Sequence, residues 1–579
     1  MLKGGGSVYF RKMAAPALQR VTVSSFPGLD RRVGAAEGSA WEMTNLCAEG
    51  FPALQVRRRR GTVAQLAAPG GLTAKEALLW VDGRTLYVAG YPTGLVLREG
   101  EKQFVSMGAY LVIFPDKVWI NLRDLDSFGS LENRVSTTAA VSLSLCRPDG
   151  QGFGAYTVSD LAPQEPGEGA LWLDGGVSPA VLRRYTRDGW EDVADVCVKL
   201  QSAGIGAGFQ SGDGVEITGC AEPALNGRHV LRCVEGDALV ISGTVGGDGV
   251  QEGSVTVART VPDMDYVVQC GNRLWGCKYG MAAGRAVNEI YASKLGDFCN
   301  WQCYEGLSTD SYAASRGSDG PFTGAAGFLG GVLFFKENCI ERIYPSAAGA
   351  HQIVTVECPG VLPGCGKSIA QVDGTLYWLG RGGVYAFDGS LPVPVSQALG
   401  AEELTGGVAG AWQGGYYLSA AGEEGGHHLF VYDTRRGVWH RQDALDVLDF
   451  AAWNGELYAL SREGTLLALH GAEGTAESVV LWQAESGELG LATAEHRYPM
   501  RLSLSLAPEA GSRVEASLSY DGGRTWQKGG ALTGRGGAET VTLHLRPRRC
   551  AHLRLRLQGS GGCTVYSVSA VYGKGSDET

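Results

Sequence analysis

The sequence predicts an all-β protein: a β-propeller of about seven blades, with a small β-domain inserted between blades and a β-sandwich at the C-terminal end. Three observations carry that expectation. Glycine supplies 87 of the 579 residues, about twice average usage, and falls at turns between short apolar runs, as in VDGRTLYV and WNGELYAL. Charged residues are only 19% of the chain, too few for long surface helices stitched by Glu and Lys. A period of about forty residues recurs along the chain, which is blade or solenoid spacing.

Residues 1–70 read as an extended N-terminal arm, interrupted by Pro16, Pro27 and Pro52, with one short strand in RVTVSSFPGLDRRVG. Such an arm would dock on its own propeller or on a neighbouring subunit. The first blades occupy 71–135, at LWVDGRTLYVAGYPTGLVLR and, more weakly, at MGAYLVIFPDKVWINL. Between 136 and 263 the period vanishes. VSLSLCRPDG, ALWLDGGV and GDALVISG are short alternating strands with Gly-Asp turns, so an inserted β-domain is expected, a structureless excursion of that length being unusual. The remaining blades fill 264–485. Their turn glycines Gly331, Gly374, Gly414 and Gly455 lie 43, 40 and 41 residues apart. Six to eight blades fit this spacing, and seven fits best. A four-stranded blade cannot bury both faces alone, so blades must stack and close on themselves. Residues 486–579 alternate cleanly in YPMRLSLSLAP, RVEASLSY and CAHLRLRLQG and predict a sandwich.

The net charge of -11 argues against a protein that wraps nucleic acid through phosphate contacts. It is unevenly spread: residues 491–579 hold 12 Lys and Arg against 7 Asp and Glu, so the preceding 490 residues carry -16. Of the fourteen cysteines, Cys146, Cys197, Cys233, Cys270 and Cys339 lie inside apolar strand-like runs, as reduced core thiols do. The N-terminal segment lacks the run of roughly 7–15 apolar residues of a signal peptide. No stretch approaches the roughly 18 that a membrane helix needs. The expectation is folding in a cytoplasm without a membrane span.

SYDGGRTW, residues 519–526, resembles the Asp box of sialidases and other glycan-processing β-propellers. Ser519, Asp521, Gly523, Thr525 and Trp526 predict a hairpin corner in which side chains bond the backbone and Gly takes φ > 0. The resemblance implies architecture, since such boxes sit away from substrate. A sialidase-like site would need clustered arginines and paired carboxylates. Arg84, Arg273, Arg342 and Arg381 instead occur singly near turns, where solvated roles are expected. Cys299 and Cys303 could share a zinc, but no second ligand pair follows, and the adjacent His427 and His428 would point to opposite faces of a strand. No phosphate loop, nucleophile elbow or dinucleotide fingerprint is present. The sequence therefore predicts no catalytic, cofactor or metal residues. Arg57 to Arg60 read as a solvated segment, or one that pairs with acidic patches of another subunit. SKLGDFCNWQ and STDSY in a blade loop predict packing between blades.

Phe26-Pro-Gly-Leu-Asp30, Thr44-Asn45-Leu46, Pro52 and the arginines before Gly61 resemble the opening of β-propeller tail proteins of bacteriophages and prophages. SKLGDFCNW, STDSY, FTGAAGFLGGVLFFKENCIERIYP and RPRRCAHLRLRLQGSG are similar to that group's middle and end. The resemblance implies a non-catalytic structural virion protein, a tail nozzle or tail-tube-end component. Its partners would be copies of itself in a ring, commonly hexameric in that group, and neighbouring tail or portal-adaptor proteins. Double-stranded DNA would pass through for ejection without tight binding. The C-terminal sandwich departs from the nozzle pattern. The alternatives are a host-surface glycan-binding adsorption protein and a sialidase-like glycoside hydrolase.

Overall fold

The protein is described by a computed structural model covering residues 18–423, 425–489, 497–546, 548, 550 and 553–574. It is all-β and of the β-propeller class. The helical elements among the described residues are three 3₁₀ turns, Pro223–Leu225, Gly366–Ser368 and Gln397–Leu399. The chain divides into two compact units, one spanning Ala68–Pro363 and one joining the residues up to Ala67 with those from Gly364 onward.

The first unit holds four antiparallel four-stranded blades, spanning Pro69–Val96, Gln103–Ser130, Tyr266–Ser315 and Gly324–Glu357. Each sheet runs in chain order, with short connections throughout except the long loop 293–311 before the last strand of the third blade. Consecutive blades share apolar layers. Leu79, Val81 and Leu86 pack on Leu111, Ile113 and Ile120; Val105 and Phe114 pack on Val267, Leu274 and Trp301; Trp275 and Ile290 pack on Val332, Phe334 and Ile343. The second strand of a blade is buried along its length, as in Gly331–Phe335, whereas the fourth, as in Gln352–Glu357, is half exposed.

The inserted domain runs from strand Asn133–Ser136, which pairs with Thr256–Arg259, and comprises an eight-stranded and a four-stranded sheet. Val141, Leu143, Leu145, Val198, Leu200, Val215, Ile217 and Leu239 form its core. The alternation read in the sequence is the reason: odd-numbered residues of VSLSL turn inward.

The second unit has three blades, built on Ala370–Pro394, Thr405–Arg441 and Val447–Ala468. The hairpin corners here pair Asp373 with Gly374 (φ 44° and 85°) and Asn454 with Gly455 (φ 48° and 79°). Two successive left-handed residues make the turn whose twist matches the flanking strands. In the blade at Gly324–Glu357 that pair is Leu329 and Gly330, so Gly331, expected in the turn, is already the first residue of the next strand.

The expectation of an extended arm over 1–70 is corrected. The described part carries five strands, Leu18–Val23, Ala40–Thr44, Leu46–Cys47, Leu54–Val56 and Gly61–Gln65. The last adds to Thr465–Ala468 in the third blade of this unit. The others join the C-terminal sandwich: Leu18–Val23 and Leu54–Val56 pair in succession along one edge of Cys563–Lys574, and Ala40–Thr44 pairs with Leu481–Ser486. The sandwich thus begins at Leu481, before the expected 486. Short strands broken by Pro27 and Pro52 show too little alternation to be read locally; their backbone groups are satisfied by strands far along the chain, as Thr22 and Ser569, 547 residues apart, show with a 2.8 Å hydroxyl contact.

Candidate functional site

The Asp-box-like hairpin joins strands Arg513–Ser519 and Gln527–Thr533 of the sandwich. Ser519 is fully buried; its Oγ accepts from the Gly523 amide at 2.8 Å and donates to Asp521 Oδ1 at 2.8 Å. Asp521 accepts from the Thr525 hydroxyl at 2.6 Å and the Thr525 amide at 2.9 Å. These bonds, the Thr525 hydroxyl first, hold the Asp521 carboxyl down at about 2. Gly523 has φ 95°. The Trp526 ring lies 3.9 Å from the Arg556 guanidinium. The polar side chains of Ser519, Asp521 and Thr525 are thus spent on the corner itself, while Trp526 Nε1 is buried without a hydrogen-bond partner.

Arg57 and Arg60 are buried, which corrects the expectation of a solvated segment. Arg57 Nε donates to Asn45 Oδ1 at 2.7 Å and Nη1 to Glu477 Oε2 at 2.8 Å; Arg60 Nη1 meets Asp443 Oδ2 at 2.6 Å and Nη2 meets Gln442 Oε1 at 2.9 Å. Burial opposes ionisation of Asp443, yet Arg60 and Arg57 together keep its carboxyl below the usual range. The acidic partners belong to the same chain. Arg58 is exposed and pairs with Glu49 at 3.0 Å.

Beside this network lies a polar cleft of about 270 Å³. Its walls include Glu49, Trp412, Tyr417, Arg436, His440 and His470. Trp412 stacks on His470 at 3.7 Å, the Tyr417 hydroxyl is 3.3 Å from His470 Nε2, and Glu49 lies 3.7 Å from His470 Nδ1. The contact with His470, helped by Arg58, holds the Glu49 carboxyl low. Burial pushes the Tyr417 phenol far up and His440 down to about 4. Glu49 therefore stays ionised and Tyr417 protonated, which suits hydrogen bonding to a ligand.

The loop after Tyr266–Ala292 fastens the inserted domain. Trp301 is buried between two blades, and Asn300, also fully buried, donates to Gly212 O at 2.7 Å and accepts from the Gly214 amide at 3.1 Å. A Cβ on Gly214 would sit 2.3 Å from the Gln302 backbone. Packing between blades, expected for SKLGDFCNWQ, is present, and the clamp on the insertion is a second role that the local sequence did not signal.

The four arginines weighed for a carboxylate cluster sit on different blades. Arg84 and Arg381 are exposed, and Arg342 stacks on Tyr344 at 4.9 Å. Arg273 is buried, against expectation, and donates to the carbonyls of Ser293, Ser308 and Asp310, closing a polar loop. Cys299 and Cys303 are pushed by burial to about 12 and about 11. Cys303, Glu305 and Asp310 do converge within 4.8 Å. Asp310 Oδ2, however, caps the Glu305 and Leu307 amides, and Glu305 pairs with Arg232 at 2.7 Å, so these donors are committed to the loop. His427 and His428 pair separately, with Asp446 at 3.5 Å and Glu402 at 3.2 Å. All fourteen cysteines are free thiols, and no described helix is long and apolar enough to cross a membrane.

No protein-family model and no curated protein matches this sequence. Among solved structures the chain is similar to BamB from Moraxella catarrhalis, at 10% identity and a TM-score of 0.32 over 70% of this chain and 96% of that one. It is also similar to PorZ of Porphyromonas gingivalis, at 10% identity and 0.25 over 90% and 80%. Trypanosoma rangeli sialidase matches at 10% identity and 0.22 over 97% of both chains. Likeness at this level carries nothing about chemistry.

Proposed function

We propose that this chain is a non-catalytic structural protein of the phage-tail type, acting through assembly with copies of itself. One observation carries the non-catalytic part: the fully buried blade carboxylates Glu341 and Glu456 are consumed by internal partners. Glu341, fully buried, is held by Arg316 at 2.8 Å and by Thr355, and Glu456 accepts the amides of Leu457, His470 and Ala472. Burial pushes the Asp297 carboxyl up, and that group caps the Cys299 amide in the loop that clamps the insertion. A glycosidase needs two carboxyls free to reach substrate. The tail assignment is supported by the resemblance in 26–61 and 322–345 and by the charge asymmetry, since an acidic wall lets a duplex slide without counterion release.

The test is twofold. Native mass spectrometry and negative-stain images of the purified protein are expected to show closed rings, and incubation with a panel of glycosides and polysaccharides is expected to release no reducing sugar. Monomers at micromolar concentration would overturn the assembly reading. Hydrolysis abolished by Glu49→Gln would replace it with a glycoside hydrolase. A second reading, recognition of a cell-surface glycan, is favoured by a separate cleft floored by an exposed tryptophan, Trp41.

A further inference from the structure

The sandwich carries a second cleft, of about 260 Å³, between the loop Asp30–Trp41 and the segment Gly487–Leu489. That size is near the roughly 300 Å³ lower end of small-molecule sites. Trp41 and Arg554 line it, together with Arg32, Glu37 and Glu488. Trp41 is 37% exposed although it lies in a strand, Ala40–Thr44, that is otherwise drawn into the sheet. The Arg554 guanidinium stands 4.9 Å from the Trp41 ring and 3.6 Å from Glu485. Glu485 in turn holds Arg556 at 2.9 Å, and Arg556 covers Trp526. Alternation explains the row: Leu555 and Leu557 point into the core, so Arg554 and Arg556 must face out. Arg554 Nε finds no acceptor in the protein.

We propose that this cleft binds a neutral saccharide unit, with Trp41 stacking on the apolar C–H face of the sugar ring and Arg554 with the rim carboxylates bonding its hydroxyls. The proposal rests on the glycan-recognition reading and is independent of tail assembly. Three properties select the ligand. A half-exposed indole offers a flat apolar face, which a pyranose matches and an amino acid or small ion does not. Guanidinium and carboxylate groups side by side provide donors and acceptors at fixed spacing, suited to vicinal hydroxyls, each of which is both donor and acceptor. The lining carries three carboxylates, Asp30, Glu37 and Glu488, beside two guanidiniums, Arg32 and Arg554, with Asp30 held by Arg32 at 2.7 Å, so no excess of positive charge in the lining calls for an anionic ligand.

Calorimetric titration of the full chain with maltohexaose, cellohexaose and xylohexaose as neutral probes, and with hexagalacturonate and a dT oligonucleotide as anionic ones, tests it. At least one neutral hexasaccharide is expected to bind. Trp41→Ala is expected to weaken it by at least about tenfold, as loss of a tryptophan anchor does, while Trp41→Phe retains most affinity. Arg554→Lys, which keeps the charge but loses the fork, is expected to weaken binding as well, with an unchanged thermal melt. Binding of hexagalacturonate alone, lost in Trp41→Ala, would overturn the neutral-ligand inference and leave glycan recognition standing. Neutral binding unaffected by both variants would overturn the site. No saccharide binding, or binding only of the oligonucleotide, would overturn inference and reading together.

Discussion

Removing Asp213 should destabilise the base of the inserted domain. The Asp213 and Arg259 side chains are 5% and 10% exposed and meet at 2.6 Å. Arg259 Nε also donates to Leu131 O at 3.1 Å, at the junction where the chain enters the insertion, and Asp213 accepts the Gln210 amide at 2.9 Å. In Asp213→Ala the guanidinium stays buried without a counterion. Breaking one side of a buried pair costs about 3–5 kcal/mol, against at most about 1 kcal/mol for an exposed pair. At roughly 2 °C per kcal/mol for a unit of this size, the melting midpoint should fall by about 6–10 °C. Replacing both partners, Asp213→Ala with Arg259→Met, removes the stranded charge and should recover most of the loss. Differential scanning calorimetry reads both, and limited proteolysis within 133–259 shows which part opens first. A fall below about 2 °C in the single variant, or a double variant no better than the single, would refute a stabilising role for this buried pair.

Three further outcomes are expected. His440 is held at about 4 by burial, below its unfolded value of 6.5; the unfolded chain binds the extra proton between those values, so stability is full above pH 6.5 and falls as pH drops towards 4, by at most about 3 kcal/mol. Urea midpoints at pH 7 and 4.5 should show this slope, and His440→Gln should flatten it. Trp301→Ala should cost about 3–5 kcal/mol, as truncation of a buried indole between packed layers does, read as a lower denaturant midpoint. Asp521→Ala should raise amide exchange at Thr525 by about tenfold or more while leaving the global melt unchanged, because the carboxylate serves only its own turn; the wild-type turn should loosen below pH 3.8 as the pH approaches 2.

Legibility varied with distance along the chain. The blade period, the left-handed pairs at Asp373–Gly374 and Asn454–Gly455, and the Asp-box corner depend on residues within a few positions of one another, so they were visible in the sequence. The burial of Arg57, Arg60 and Arg273 was not, because arginines next to turns look solvated until their acceptors, Asp443, Glu477 and the 308–310 carbonyls, are in place. Neither cleft left a sequence signal. Glu49 and His470, or Trp41 and Arg554, are brought together by strands that the first seventy residues lend to distant sheets.

The sequence by itself determined the strand class, the turn positions and the recurrence of four-stranded units, since side-chain alternation and φ preference are local properties. Tertiary structure alone decided that the N-terminal strands complete the C-terminal sandwich and a blade, and which charges lie inside. Closing a loop of several hundred residues costs only slightly more than closing one of a hundred, so local sequence does not single out which distant edge a short strand joins, and the partner is chosen by the open edges and buried acceptors that the folded sheets present.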